Sequence, residues 1–208
     1  MAAGNAKRWE RRKEARPTEL IAAALDLFVE RGFKATRLDD VAARAGVTKG
    51  TLYLYFKNKE DLLAAVIREN VLPNLARVEH LAETHEGSTG ALIRQIVHFW
   101  WDNVGSTRIG GLPKLIFSEA ANFPELAQIF MEVFTRGQAM LTQLVQRGID
   151  AGEFRPCDPR YVARLMIAPV VFLTIWNRSM AIHEPAPLDD ARYVETHIDL
   201  LLNGLAKH

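Results

Sequence analysis

The chain has 208 residues, 49% hydrophobic and 25% charged, the balance of a globular protein long enough to bury a core. Its single cysteine, Cys157, excludes a disulfide framework and a thiolate-only metal site, and it fits a reducing compartment. The net charge of +1 conceals an asymmetry, because residues 1–62 hold 13 Lys/Arg against 9 Asp/Glu and the remainder hold 13 against 16.

A basic N-terminal third on a near-neutral chain suits a nucleic-acid module joined to a part that binds no polyanion. No apolar run approaches the roughly 20 residues of a bilayer span. The charged N-terminus lacks the apolar stretch of a secretory signal, so a cytoplasmic protein with no membrane partner is expected.

The hydrophobic periodicity is helical almost throughout, with no alternating strand and no repeat. Residues 1–16 read as a basic, flexible arm. Its Lys7, Arg8, Arg11, Arg12, Lys13 and Arg16 either follow a nucleic-acid backbone or form a solvated tail. Pro17 suits a first helical position. Behind it Leu20, Ile21, Ala24, Leu27 and Phe28 form an apolar stripe that stops at Gly32.

Residues 36–62, TRLDDVAARAGVTKGTLYLYFKNKEDL, have the spacing of a helix-turn-helix that runs into a further helix. Thr36 and Asp39 stand at capping-box spacing. Val41, Ala42 and Ala45 supply small apolar packing, and Gly46 suits the tight turn. Thr48 is placed to cap a second helix reaching about Tyr55. On it Leu52 and Phe56, four apart, face inward, which turns Gly50, Thr51 and Leu54 outward with Tyr53 and Tyr55 on the flanks.

That outward face has the chemistry of a DNA reader. Gly50 permits close backbone approach; Thr48, Tyr53 and Tyr55 offer hydroxyls to phosphate; Lys49, Lys57 and Lys59 offer charge. Thr51 and Leu54 suit a thymine methyl. Thr36 and Arg37, at the entry to the first helix of the motif, complete the candidate DNA-facing set.

Residues 32–62, with Ala22, Ala23, Leu27 and Phe28 of the preceding helix, resemble the DNA-binding region of the TetR family of transcriptional regulators. The resemblance implies that the first three helices hold DNA and that a fourth links them to a ligand-binding and dimerisation domain. It also places Thr48, Lys49, Gly50, Tyr53, Tyr55 and Lys59 where members of the family touch DNA. Tyr55 stands where His is frequent and Leu54 where an aromatic is common, departures that concern the operator sequence and not the fold.

Beyond residue 62 the pattern continues with a helix through Leu62, Leu63, Val66 and Ile67 that Pro73 should kink or end. THEGSTG (84–90) is a loop. Helices follow over about 91–104, 112–120, 124–151, 159–181 and 188–206, broken by GSTRIGG (105–111), AGEFRPCDP (151–159) and the HEPAP loop.

His98, Phe99, Trp100 and Trp101 are too bulky to share one packed seam. With Phe117, Phe130, Phe134 and Trp176 they suit an apolar cavity for a hydrophobic or aromatic small molecule. Aromatic residues at helical spacing equally build a plain core. Candidate ligand contacts are His98, Trp101, Phe117, Phe130, Phe134 and Trp176. Apolar stripes on the last two helices (Val162, Leu165, Met166, Val170, Leu173 and Trp176, then Val194, His197, Ile198, Leu201 and Leu205) suit a two-fold interface or packing within one subunit.

The expected protein is all-α, with a helix-turn-helix domain at 17–62 and a helical ligand-binding and dimerisation domain at 63–208. It would be a homodimeric repressor, released from a palindromic operator by a small effector. No catalytic site, metal site or cofactor is expected, since the six His residues lack tight ligand spacing and no nucleophile–base arrangement is visible. Two other classes remain. One is an enzyme in a helical bundle with His98 and Glu119 as acid and base. The other is a helical scaffold whose basic head docks an acidic partner.

Overall fold

The computed structural model describes the backbone of residues 3–207 and the side chains of residues 17–124 and 127–207. The described residues form nine α-helices: α1 (Ala3–Arg31), α2 (Leu38–Arg44), α3 (Lys49–Tyr53), α4 (Lys59–Thr84), α5 (Thr89–Trp100), α6 (Gly111–Glu119), α7 (Pro124–Asp150), α8 (Pro159–Asn177) and α9 (Asp190–Leu205). The only strand-like pairing among them is one antiparallel bridge, Phe154 to Ala206.

Helix α1 begins at Ala3 and carries Pro17 in its interior, so the backbone of residues 3–16 is helical where an arm is expected. The Ala, Arg, Lys and Glu residues there are strong helix formers. The basic side chains from Lys7 to Arg16 lie outside the described residues. Likewise α4 runs through Pro73 without ending. Its long apolar face, buried against α1 and α7, outweighs the one backbone hydrogen bond that proline removes.

Helices α1 to α3 and the start of α4 enclose the first core. Leu20, Leu27 and Phe28 of α1 meet Phe33, Val41, Leu52 and Leu62, all at most 1% exposed. Gly46 holds φ +67° in the turn between α2 and α3, a left-handed conformation costly for residues with a Cβ. Two cross-links brace this head: Arg44 grips Glu30 through two bonds of 2.7 and 2.9 Å, and Arg31 pairs with Asp40 at 3.2 Å.

The same core continues into α6, whose Leu112, Leu115 and Ile116 are buried with the head residues. Gly111 makes this approach possible, because a Cβ there would collide with the Val29 side chain of α1. Arg108, just before α6, reaches Asp26 of α1 at 3.1 Å.

Two further cores lie among α4, α5, α7, α8 and α9. Met166, Val170 and Leu173 of α8, with Val194, Ile198 and Leu205 of α9, are buried within the subunit. Much of the apolar stripe on the last two helices is therefore internal. Helix α8, 19 residues with a mean hydropathy of 1.2, has the length and composition of a membrane span, which the sequence reading overlooked. It packs against α5, α6, α7 and α9, although only 28% of its apolar window is buried within the subunit.

After Trp100 the α5 helix widens into a π-helical turn, Trp101–Gly105. Gly105 lies against both Trp100 and Trp101, where a Cβ would overlap the two rings. Ahead of this turn the bulky run is divided by ordinary helical spacing: Trp101, four residues after Val97, enters the core with Val97, Val170 and Leu173, whereas Phe99 and Trp100 line a cavity.

Candidate nucleic-acid interface and internal cavity

The helix-turn-helix residues fall on two sides, as their spacing predicts. Leu52 and Phe56 are buried at 0% and 7% exposed, while Leu54 is 81% and Tyr53 48% exposed. Thr48 caps α3 by accepting the backbone N–H of Thr51 at 3.2 Å, and the Thr48 and Thr51 hydroxyls lie 2.9 Å apart. Helix α3 is shorter than expected and ends at Tyr53, with Leu54 as its C-cap. Arg37, Lys49, Gly50, Tyr53, Leu54 and Lys57 are exposed, and Thr51 and Tyr55 are partly so.

Three candidates in this set have other engagements. Thr36 is 1% exposed, and its hydroxyl donates to the carbonyls of Gly32 (2.7 Å) and Leu27 (3.1 Å). It closes the α1–α2 corner and offers nothing to DNA. Nor does it cap α2, whose N-cap is Arg37 without a side-chain bond. The Lys59 ammonium donates to the carbonyls of Phe33 (2.8 Å), Thr36 (3.0 Å) and Lys34 (3.3 Å). It also lies 4.5 Å from the centre of the Phe33 ring. Three donors on three acceptors leave it no free hydrogen for a phosphate.

The Lys49 ammonium is 2.9 Å from Asp39, whose hydrogen bond and charge hold the lysine protonated above its ordinary range. Both side chains are about half exposed, so a phosphate arriving at α3 competes with Asp39 for this cation. At the start of α4, Asn58 accepts the Asp61 N–H at 2.7 Å, and Asp61 accepts the Lys57 N–H at 3.0 Å. This reciprocal cap holds Lys57 at the exposed edge of the head.

Beneath the head lies a cavity of about 630 Å³, within the ~300–1,000 Å³ usual for small-molecule sites. Its walls come from α4 (Val71, Leu75), α5 (Phe99, Trp100), α6 (Leu112, Ile116), α7 and α8 (Val171, Phe172). Of the candidate ligand contacts, Phe117, Phe130 and Phe134 line it. Phe130 stacks on Phe134 with ring centres 5.7 Å apart and meets the edge of Phe117 at 6.4 Å.

The other three do not reach it. His98 turns the opposite way and lies 2.9 Å from Glu195 of α9, beside Arg94, which holds Glu195 and Asp199. Trp101 is core, one α-helical turn beyond Val97 in the same buried cluster. Trp176 donates its indole N–H to Glu184 at 2.9 Å. Sequence reasoning missed the polar cavity residues Asn74, Gln138 and Arg164. The i, i+4 and i+8 spacing of Arg164, Ala168 and Phe172 carried that signal. Among the described residues no group of three His, Cys, Asp or Glu can hold a metal ion.

Comparisons with known proteins agree with this geometry. Residues 20–66 match the model of bacterial regulatory proteins of the tetR family, and residues 83–200 match the tetracyclin repressor-like C-terminal domain. The fatty acid metabolism regulator protein of Bacillus subtilis (strain 168) is 28% identical over 165 residues, 78% of this chain and 84% of that one. The transcriptional repressor KstR2 of Mycolicibacterium smegmatis is 29% identical over 196 residues, 93% of this chain and 92% of that one. The crystal structure of the Bacillus subtilis transcriptional regulator FadR in complex with stearoyl-CoA shares the fold. Its TM-score is 0.77 at 22% identity, covering 90% of this chain and 98% of that one. These relatives are DNA-binding regulators and not enzymes, and with both of its domains matched the chain belongs to the TetR family of transcriptional regulators.

Proposed function

We propose that the protein is a homodimeric cytoplasmic repressor that leaves a near-palindromic operator when a hydrophobic small molecule fills the cavity. One observation carries this reading. The cavity wall and the DNA-binding head are built from the same pieces, since Leu112 and Ile116 of α6 face the cavity and also belong to the core of the head.

Occupancy acts as a population shift. A ligand that holds α6 away from its resting place moves Gly111 against Val29 and Arg108 against Asp26. Both contacts lie on α1, and α4 connects the opposite wall of the cavity to the cap at Asn58. The two heads then change their separation, and two α3 helices no longer fit successive major grooves. Linkage requires operator DNA to weaken ligand binding by the same factor.

Exposed apolar side chains support dimerisation through the last two helices. Tyr161, Leu165 and Phe172 of α8 and Leu200 of α9 are 56–70% exposed, a patch that a monomer gains by covering. The DNA contacts are assigned to Arg37, Thr48, Lys49, Gly50, Tyr53, Tyr55 and Lys57, mostly on the backbone, with Thr51 and Leu54 facing bases.

Selection of bound duplexes from random DNA tests the reading. Two-fold symmetric sites with half-sites one helical turn apart are expected. Recovery of unrelated sequences at non-specific affinity would overturn it.

A further inference from the structure

Among the described residues Arg164 is the single charged side chain lining the cavity. Its guanidinium carbon lies over the Phe134 ring, 4.7 Å from its centre, and the residue is otherwise exposed, so its N–H donors are accessible to a ligand. Neighbouring arginines are committed to carboxylates. Arg160, one turn earlier on α8, holds Asp158 at 2.7 Å, and Arg136 on α7 grips Glu79 through two bonds. Among the described residues Arg164 has no such partner, and no acidic side chain lines the cavity.

The rest of the described lining is apolar except for two carboxamides, each turned onto a backbone carbonyl. Asn74 donates to its own helix at Asn70, 2.9 Å away. Gln138 approaches the Ala163 carbonyl at 3.5 Å. An apolar chamber with one fork-shaped cation at its solvent-exposed edge, and no described carboxylate to pair it, selects a molecule of matching polarity. Its body must be apolar, and its end must carry an anion that accepts two parallel N–H bonds.

Building on the effector reading above, we propose that Arg164 is the head-group residue of the cavity and that the effector is an anionic amphiphile. Its long apolar body fills the space between α4 and α8, and a carboxylate or a phosphate-bearing thioester group engages Arg164.

The test titrates the full-length protein, by fluorescence of its tryptophans and by calorimetry, with four probes of one chain length below their micelle concentrations. These are dodecanoate, dodecanoyl-CoA, dodecanol and dodecyltrimethylammonium. At least one anion is expected to bind about tenfold or more tightly than dodecanol, as a charge-assisted hydrogen-bonded pair contributes. The ammonium probe is expected to bind more weakly than dodecanol. Whichever anion binds more tightly names the source of the head group.

Arg164→Gln is expected to erase the preference while leaving dodecanol affinity within about twofold and the thermal midpoint unchanged, since the side chain is exposed. Arg164→Lys is expected to retain part of it. If wild type binds dodecanol as well as both anions, or Arg164→Gln keeps the preference, the head-group assignment falls while the effector cavity stands. If no probe binds, the cavity reading falls with it.

Discussion

The Lys59 ammonium holds the carbonyl of Phe33 at 2.8 Å and covers the ring of the same residue. A residue expected to grip phosphate instead fastens the α1–α2 corner to the start of α4. Lys59→Ala is therefore expected to lower the unfolding free energy by about 2 kcal/mol, the scale of hydrogen bonds from a charged donor, in urea titrations without DNA. Unchanged stability together with lost DNA affinity would restore the phosphate role.

Lys57 is the contrasting case, exposed and held at the edge of the head by the Asn58–Asp61 cap. Lys57→Ala is expected to leave stability within about 0.5 kcal/mol and to reduce the salt slope of duplex binding by about one for each head engaged. Binding isotherms across a salt series measure it, and an unaltered slope would remove Lys57 from the interface.

Leu54, at 81% exposure, has no structural reason to be apolar within one subunit. Leu54→Ala is expected to weaken binding to the selected operator by roughly tenfold, about 1.4 kcal/mol, and to relax preference at one base position in each half-site. Non-specific duplex affinity should barely change. A uniform loss across all sequences would assign Leu54 to the backbone.

Adjacent tryptophans should behave as opposites. Trp101, 9% exposed in the core, is expected to cost about 3–5 kcal/mol on replacement by alanine. Trp100→Ala, at the cavity wall, is expected to keep a folded, DNA-binding protein with an altered response to ligand. Thermal melts paired with ligand-dependent DNA release separate the two. Equal destabilisation would make both plain core.

Glu153 offers a pH test. Burial raises its pKa, but bonds from the Thr89 hydroxyl (3.0 Å) and from backbone N–H groups at Thr89 and Gly90 outweigh that and lower it below 4.5. A depressed folded pKa contributes stability that is complete above the unfolded value and is lost as pH falls through the folded one. Stability is therefore expected to decline below about pH 4.5, and Glu153→Gln should flatten that decline while lowering stability at pH 7. An unchanged acid limb would exclude this carboxylate.

The all-helical fold and the inward and outward sides of the head were legible because helical periodicity reports burial directly. Leu52 and Phe56 against Leu54 are the clearest instance. The engagements of Thr36 and Lys59 were not, because their acceptors are main-chain carbonyls, which every sequence supplies and no side-chain pattern marks. In the C-terminal region the aromatic run of α5 was recognised, but its partition was not. Residues 99–101 point in different directions around one helix, and whether each meets a core or a cavity depends on what α7, α8 and α9 place opposite, which the letters of α5 do not state. Arg164 shares one helical face with Ala168 and Phe172, and that spacing groups the three without stating whether the face meets solvent or a chamber.

Leu112, Leu115 and Ile116 lie in one core with Phe28 and Leu52, and this alters what counts as a transferable part. A recombination event that exchanged the first 62 residues for those of a relative would sever a buried surface, leaving three large side chains facing a stranger's helix. The unit that can be inherited intact is the head together with α6 and the Gly111–Val29 contact. Lineages that trade operators without losing their folded state should vary on the outer side of α3, while α1 and α6 change in step.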